Sequence, residues 1–345
     1  MRILEVNVNI GVRGGAERYA EGVSEALRAR GNRVQLLTLD GSRSVIGRQL
    51  RLLGFGAAYD VDDLRGQFDV VHLHNFYGRS PKLFRIGASA GMPLVWTVHD
   101  YRLLNARALG APGLVSRAAT LARIREASRA DTTVFLSNFV RGIFRRHAGM
   151  DGPIVPMGIR GPELPSHTRA HDLDSTIVLG YLGRLTEKKG VRLLVESLQS
   201  AGRTDVKLEV AGDGPLLPWL QRASARSNWI KVLGVIDGAP KWRWLADLDA
   251  LVVPSVWEEN APLVILEALE VGTPVLASAM GGIPEMAGMY GGIRAVQVGL
   301  WSRTVAELSK STCARLRDAA QRDRPRTMDD VALDYENIFS GLLAK

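Results

Sequence analysis

The chain has 345 residues, of which 46% are hydrophobic and 23% charged, with 44 Lys and Arg, 36 Asp and Glu, and one Cys, Cys313. That length supports two domains with cores of their own, and the composition excludes disordered, collagen-like and fibrous classes. A lone Cys permits no internal disulfide and suits a reducing compartment.

No apolar run nears the roughly 20 residues that span a bilayer. "MRILEVNVNIG" goes straight into a strand-like run with neither the basic start nor the apolar core of a leader, so a cytoplasmic protein is expected. The net charge of +8 is uneven: residues 1–160 hold 23 basic against 13 acidic side chains, and the remainder 21 against 23. The plain reading is a soluble surface with surplus Arg. The functional one is a first half that faces something anionic: a membrane, a phosphorylated acceptor or nucleic acid.

In chain order, "RILEVNVNI" reads as a buried strand, "GVRGGAERYAEGVSEALRARG" as a glycine loop opening a helix that stops at Gly31, and "NRVQLLTL" as the next strand. "FDVVHLHN", "MPLVWTVHD" and "ADTTVFLS" are further short strands between helical segments. Continuous apolar strands alternating with helices imply a parallel sheet covered on both faces, a Rossmann-like half. Residues 155–176, rich in Pro, Gly and polar side chains, read as a linker. The pattern then restarts with "IVLGYLGRL", "VKLEVAGDG", "WIKVLGVI", "ALVVPSV" and "TPVLASA" as strands, with helical stretches between them. The tail "TMDDVALDYENIFSGLLAK" is an amphipathic helix with Asp329 and Asp330 where the helix dipole favours them. The expected domains are 1–160, 161–326, and a C-terminal helix at 327–345 returning to the first domain. A segment from Val115 to Ala130 is expected as one helix carrying Arg117, Arg123, Arg125 and Arg129, with Leu121 and Ile124 as a thin apolar stripe.

The stretch "VPSVWEENAPLVILEALEVGTPVLAS" poses a chemical question. Glu267 is surrounded by Leu263, Val264, Ile265, Leu266, Leu269 and Val271, and a carboxylate on an apolar helix face needs a partner. Pro262 suits the first turn of a helix expected over 262–271 and stopping at Gly272. The N–H groups at its start, near Leu263 and Val264, form an anion site, flanked by Glu259 in the preceding loop and Glu267 in the second turn. A ligand with both phosphate and vicinal hydroxyls satisfies both features, because carboxylates accept from hydroxyls. "GYLGRLTEKKGVRLL" supplies cations: Arg184 directly after a strand, and Lys188 and Lys189 before Gly190. Each alone is an ordinary solvated charge; together with the Glu pair they point to a site. His72 and His74 share one side of a strand, but the sequence around them offers no Cys, Asp or Glu neighbour, so a structural or acceptor-side role is expected and no metal.

Glu259-x7-Glu267, preceded by "VPS" and followed by "EALEVGTPVLAS" and "GGIPE", resembles the retaining GT-B glycosyltransferases of family four. "GGAERYAEGVSEALRARG", "DVVHLHN", "PLVWTVHDY", "GRLTEKKG", "LEVAGDGP" and "VLGVI" match that family in the same order, over roughly residues 1–290. The resemblance implies an α/β GT-B fold: two Rossmann-like doubly wound parallel-sheet domains facing a central cleft. It implies transfer, with retention and without a metal or other cofactor, of a sugar from a nucleotide-diphosphate donor to a hydroxyl acceptor. Glu267 would accept from ribose and Glu259 from the donor sugar, Arg184 and Lys189 would clamp the diphosphate with the N–H groups of Leu263 and Val264, and Gly15 would let a first-domain loop approach the phosphates. Val232 and Gly234 would line the base, and His99 in "TVHDY" would stand near the reacting sugar, with Asp100 beside it orienting the ring or capping a turn.

The text after "HDY", short, Arg-rich and aromatic-free, departs from the family and leaves the acceptor open. The expected acceptor is a glycan, lipid-linked or not, of a bacterial envelope or exopolysaccharide, with an anionic membrane face as a further partner, a peripheral location on that inner face, and no nucleic acid. UDP, GDP and ADP stand as equal candidates for the nucleotide. A nucleotide-sugar epimerase of the same fold would want further first-domain acid/base carboxylates, a phosphorylase a cofactor lysine, and a basic nucleic-acid or membrane module interleaved aromatics.

Overall fold

The computed structural model describes residues 1–9, 14–40, 64, 66–75, 84–101, 103–104, 113–162 and 176–344. It divides into two compact units, Met1–Gly158 with Thr327–Lys345, and Ile159–Arg326. Residues 163–175 of the expected linker lie outside the described residues.

The first unit carries β1 (Arg2–Asn9), α1 (Gly15–Ala29), β2 (Arg33–Asp40), β3 (Val70–Leu73), α2 (Ile86–Ala90), β4 (Leu94–Val98), α3 (Gly113–Ala127), β5 (Thr132–Phe135) and α4 (Asn138–Ala148). The strands form one sheet in the order β2-β1-β3-β4-β5, parallel at every pairing. Every residue of β3 and β4 is buried, as a sheet with helices over both faces requires. Leu4, Val71, Leu94, Trp96, Phe135 and Phe144 belong to its core.

The second unit carries β6 (Ile177–Leu182), α5 (Val191–Ala201), β7 (Val206–Ala211), α6 (Leu217–Ala225), β8 (Ile230–Gly234), α7 (Gly238–Asp247), β9 (Ala250–Val253), α8 (Leu263–Glu270), β10 (Val275–Ser278), α9 (Ile283–Met289), β11 (Ile293–Val296), α10 (Trp301–Ala306) and α11 (Lys310–Arg322). Its sheet runs β11-β10-β9-β6-β7-β8, again parallel at every pairing. The chain moves outward from β6 through β8 and then returns to lay β9 on the other side of β6. That reversal creates a switch point, the place in an open α/β sheet where ligands commonly bind.

The last helix, α12 (Met328–Leu343), belongs to the first unit. Thr327 caps it: its hydroxyl accepts from the Asp330 N–H at 3.1 Å, and the Asp330 carboxylate accepts from the Thr327 N–H at 2.9 Å. Tyr335 and Phe339 are fully buried, and Arg30, the C-cap residue of α1, reaches Glu336 at 2.8 Å and Asp329 at 3.1 Å. Gly22 of α1 lies against Met328, whose side chain a Cβ there would meet at 3.1 Å, so the two helices pack closely.

Two expectations change. The Arg-rich helix ends at Ala127, not Ala130, and Arg129 lies beyond it, paired with Glu126 at 3.1 Å, while Arg85 takes the same carboxylate at 2.5 Å. Its Leu121 and Ile124 do not make one stripe: Ile124 packs on the core, and Leu121 is 67% exposed. The helix expected over 262–271 is α8, Leu263–Glu270, with Pro262 as its N-cap residue and Val271 as its C-cap residue.

The loops at the switch point of the second sheet are locked by glycines in the left-handed region. Gly190 has φ +73°, and any Cβ there would overlap the carbonyl oxygen of Pro254. Gly190→Ala is therefore expected to destabilise the protein by more than the ~1–3 kcal/mol of an ordinary left-handed non-glycine residue. A shift of the urea midpoint smaller than that would mean the loops separate easily.

Candidate active site

The site is built from the carboxyl ends of β6 and β9. Leaving β6, the chain passes Gly183 and Arg184 into a short 3-10 turn at Glu187–Lys189. Leaving β9, it passes Pro254 and Ser255 to Glu259. The loops are joined directly: the Val256 N–H donates to the Lys188 carbonyl at 3.0 Å. Strand β7 adds a third loop, whose Asp213 carbonyl accepts from the Leu185 N–H of the loop after β6 at 2.9 Å. Gly212 there has φ +138°, and a Cβ on it would strike the Gly183 carbonyl. From the β10 side, the Gly282 N–H holds the Glu259 carbonyl at 2.8 Å, and Gly281, at φ +64°, approaches the Glu259 backbone too closely for any Cβ.

Glu259 is thus fixed through its own backbone. Its side chain is buried, and Oε1 accepts from Lys189 Nζ at 2.7 Å and from Ser255 Oγ at 2.6 Å. Lys189 was expected as a clamp for phosphate; here its ammonium joins the carboxylate expected to hold the sugar, so the two groups form one unit. Arg184 is exposed, and its carbonyl takes the Tyr181 hydroxyl at 2.8 Å. Burial, and then the charge of Glu259, raises the Tyr181 phenol above its ordinary range. Leu263 and Val264 open α8, so their N–H groups are among those with no acceptor inside the helix. Gly234 ends β8 with φ +72°, its carbonyl taking the Gly212 N–H at 2.7 Å, and Val232 packs against the unit's core. Gly15 is the first residue of α1 and exposed; the N-cap is Gly14, whose N–H donates to the Glu17 carboxylate at 2.9 Å.

Glu267 corrects the sequence reading in one respect: its partner is in the chain. Lys241 of α7 donates to Glu267 Oε1 at 2.9 Å with both side chains buried. The ammonium also lies 4.5 Å from the centre of the Trp242 ring and 3.9 Å from Asp237. Lys241 was not singled out from the sequence; it lies in "KWRWLADLD" four residues before the buried Leu245. The spacing Lys241–Leu245 on one face was the available signal.

The first unit holds the second correction. His72 and His74, expected to lack an acidic neighbour, share Glu5. Parallel pairing of β1 with β3 sets Glu5 directly against His72. Glu5 Oε1 lies 3.1 Å from His72 Nδ1, and Oε2 lies 2.5 Å from His74 Nε2, all three side chains fully enclosed. Beyond them, His72 Nε2 is 2.8 Å from Thr97 Oγ1, which is 2.8 Å from the Tyr335 hydroxyl, itself 3.1 Å from that of Tyr19. His74 Nδ1 is 3.3 Å from Nε2 of His99, the histidine at the end of β4.

Burial by itself would raise the Glu5 carboxyl, but the two imidazoles overcome it and hold it well below its usual range. Burial, with the neighbouring His72, pushes His74 down, and burial with both neighbours holds His99 well below the ordinary imidazole range. Among the described residues Glu5, His72 and His74 are the one group whose ligand atoms, all within 4.8 Å of one another, have the spacing of a cation site.

Two family models match this chain in tandem: "Glycosyltransferase Family 4" over residues 13–160 and "Glycosyl transferases group 1" over residues 176–311. The chain is a family 4 glycosyltransferase. Phosphatidyl-myo-inositol mannosyltransferase of Mycobacterium leprae is 25% identical over 300 residues, 77% of this chain and 75% of that one. Among solved structures, sucrose-phosphate synthase from Thermosynechococcus elongatus superposes with a TM-score of 0.73 at 18% identity over 99% of this chain and 100% of that one. Anabaena HepE in complex with UDP-glucose gives 0.67 at 19% over 98% and 99%. The fold of this glycosyltransferase is GT-B.

The buried Lys241–Glu267 pair gives a stability test. Lys241→Met leaves Glu267 as an uncompensated buried charge and should cost about 3–5 kcal/mol by urea denaturation. Adding Glu267→Met should recover most of that loss. A double variant no more stable than Lys241→Met would show that the two side chains do not act as a pair.

Proposed function

We propose that this glycosyltransferase takes its sugar from a nucleoside-diphosphate donor bound at the carboxyl ends of β6 and β9, and transfers it with retention and without a metal. The observation that carries the reading is the Lys189–Glu259–Ser255 constellation, held at the switch point by glycines that tolerate no side chain, next to the open start of α8. The diphosphate takes the first-turn N–H groups of Leu263 and Val264. Arg184 and Lys189 meet the charge that grows on it as the glycosidic bond breaks. Once Lys189 turns to phosphate, Glu259 accepts from hydroxyls of the sugar. Glu267, backed by Lys241, accepts from the ribose, and Val232 and Gly234 line the base. His99 of the first unit is assigned the sugar side.

In a retaining transfer the C1–phosphate bond breaks and the bond from C1 to the acceptor oxygen forms on the same face, the departing phosphate taking the acceptor's proton. Cationic side chains supply the charge that a metal supplies elsewhere. The donor class is supported by HepE, which shares the fold and was solved with UDP-glucose.

The test is a panel of UDP-, GDP- and ADP-sugars, followed by slow hydrolysis and by proton NMR of the anomer released, with and without EDTA. One donor should be consumed to a product of unchanged anomeric configuration, and EDTA should have little effect. Arg184→Ala should lower kcat by about 100-fold while changing diphosphate affinity far less, since the charge it meets develops in the transition state. Inverted product, a strict need for a divalent ion, or an Arg184→Ala enzyme with unchanged kcat would each overturn its part.

For the acceptor, a lipid-linked glycan at an anionic membrane face is proposed. The first half of the chain carries the positive charge, and α3 turns Arg117 and Arg125 to solvent. The relative from Mycobacterium leprae is named for mannosyl transfer to a phosphatidylinositol. Among the described residues no helix is long and apolar enough to cross a membrane, so the contact is electrostatic. Each exposed Arg contributes roughly 1 kcal/mol near an anionic leaflet, fading within a Debye length. Co-sedimentation with anionic vesicles should fall with salt and fall further in Arg117→Glu with Arg125→Glu. Equal binding to neutral and anionic vesicles would remove the membrane from the reading.

A further inference from the structure

Lys241 is the one buried lysine among the described residues, and stability alone does not account for it. It lies on α7 four residues before the buried Leu245, on the face that an amphipathic helix fills with apolar side chains. Its ammonium pairs with Glu267 at 2.9 Å, the two side chains 5% and 3% exposed. Replacing a buried ion pair by well-packed apolar side chains of similar volume is often neutral or stabilising. The pair therefore calls for a reason in its surroundings, and beside it is the start of α8.

Glu267 stands four positions after Leu263, the first residue of α8. At 1.5 Å per residue that is roughly 6 Å along the axis from the N–H groups assigned to the diphosphate, and the Cα–Cβ bonds of a helix tilt toward that end. An enclosed carboxylate there is weakly screened, and by itself it would repel a diphosphate of like charge. Resting on the donor reading above, we propose that Lys241 cancels this charge and so admits a hydroxyl-accepting carboxylate to the edge of an anion site. Lys241 is thus a positioning residue for the donor, acting through Glu267. Asp237, 3.9 Å from the same ammonium, has a 55% exposed side chain that solvent screens, so Glu267 is the charge that Lys241 balances.

The other carboxylate beside α8 is compensated in a different way. Lys189, on Glu259, has a 39% exposed side chain and can turn to phosphate, whereas Lys241 is enclosed and stays with its partner. One lysine moves with the ligand, and the other is a permanent counter-charge.

The quantity that reads this is the ratio of the nucleoside to the nucleoside-diphosphate dissociation constant. Base and ribose contacts are common to both ligands and drop out, leaving the gain that the diphosphate brings. Titrations of the full chain at neutral pH and low ionic strength would use uridine with UDP, guanosine with GDP and adenosine with ADP. For the couple that binds, Lys241→Met should lower the ratio at least about tenfold, and Glu267→Gln, which leaves the ammonium unbalanced, should raise it at least about threefold. Lys241→Met with Glu267→Gln removes both charges and should return the ratio to within about threefold of wild type. A pair that only staples α7 to α8 would not shift the ratio in opposite directions. An unchanged ratio in Lys241→Met, or an unchanged or lowered one in Glu267→Gln, overturns the proposal. Should Lys241→Met fail to fold, Glu267→Gln and the double variant decide it, and a double variant whose ratio stays as high as that of Glu267→Gln also overturns it. A wild-type protein that binds none of the three diphosphates overturns the donor reading and this proposal together. Diphosphate binding with an unmoved ratio overturns this proposal alone.

Discussion

Where the second sheet reverses direction, two strand-end loops touch backbone to backbone, and the site depends on that contact. Gly190 sits against the Pro254 carbonyl, Gly212 against that of Gly183, and Gly281 against the backbone of Glu259, each in a conformation that other residues rarely adopt. A side chain at any of the three would force the loops apart. Because they are joined, Lys189, which leaves β6, reaches a carboxylate on the loop after β9, 70 residues later. The catalytic proposal is therefore a statement about backbone proximity first and about charged side chains second.

Glu267 in the second unit and Glu5 in the first are buried carboxylates that are compensated differently. Glu267 has a single ammonium, which neutralises it and ties α7 to α8. Glu5 has two imidazoles, one on each carboxylate oxygen, so its compensation comes from hydrogen bonds. The first arrangement suits a group that receives a ligand while remaining structurally anchored. The second suits a group that orients its neighbours and contacts no ligand. The cost of removing water from a carboxylate is large enough that neither is expected without a partner, and in both cases the partner explains why the residue tolerates its apolar surroundings.

The return of α12 to the first unit has a role beyond covering apolar surface. Its Tyr335 hydroxyl continues the hydrogen-bonded series from Thr97 to Tyr19, and its rings cover His72. The polar interior of the first unit is thus sealed by the last turns of the chain.

The sequence by itself determined the alternation of strands and helices, the restart in a second half, the glycine-bearing loops, and which charged residues stand at the ends of strands. These follow from local periodicity and from spacing within one loop or helix. It determined Glu259 and Glu267 as candidates because both lie in one short stretch around one helix start. Tertiary structure alone decided their partners. Lys241 is 26 residues from Glu267, and its inward direction depends on how α7 lies beside α8. Glu5 is 67 residues from His72, and the register of two parallel strands brings them together. Parallel strands are joined by long crossovers, so pairs across them are distant in sequence. A partner supplied that way leaves no local pattern to read, and for the same reason His72 and His74 looked isolated until the sheet was assembled.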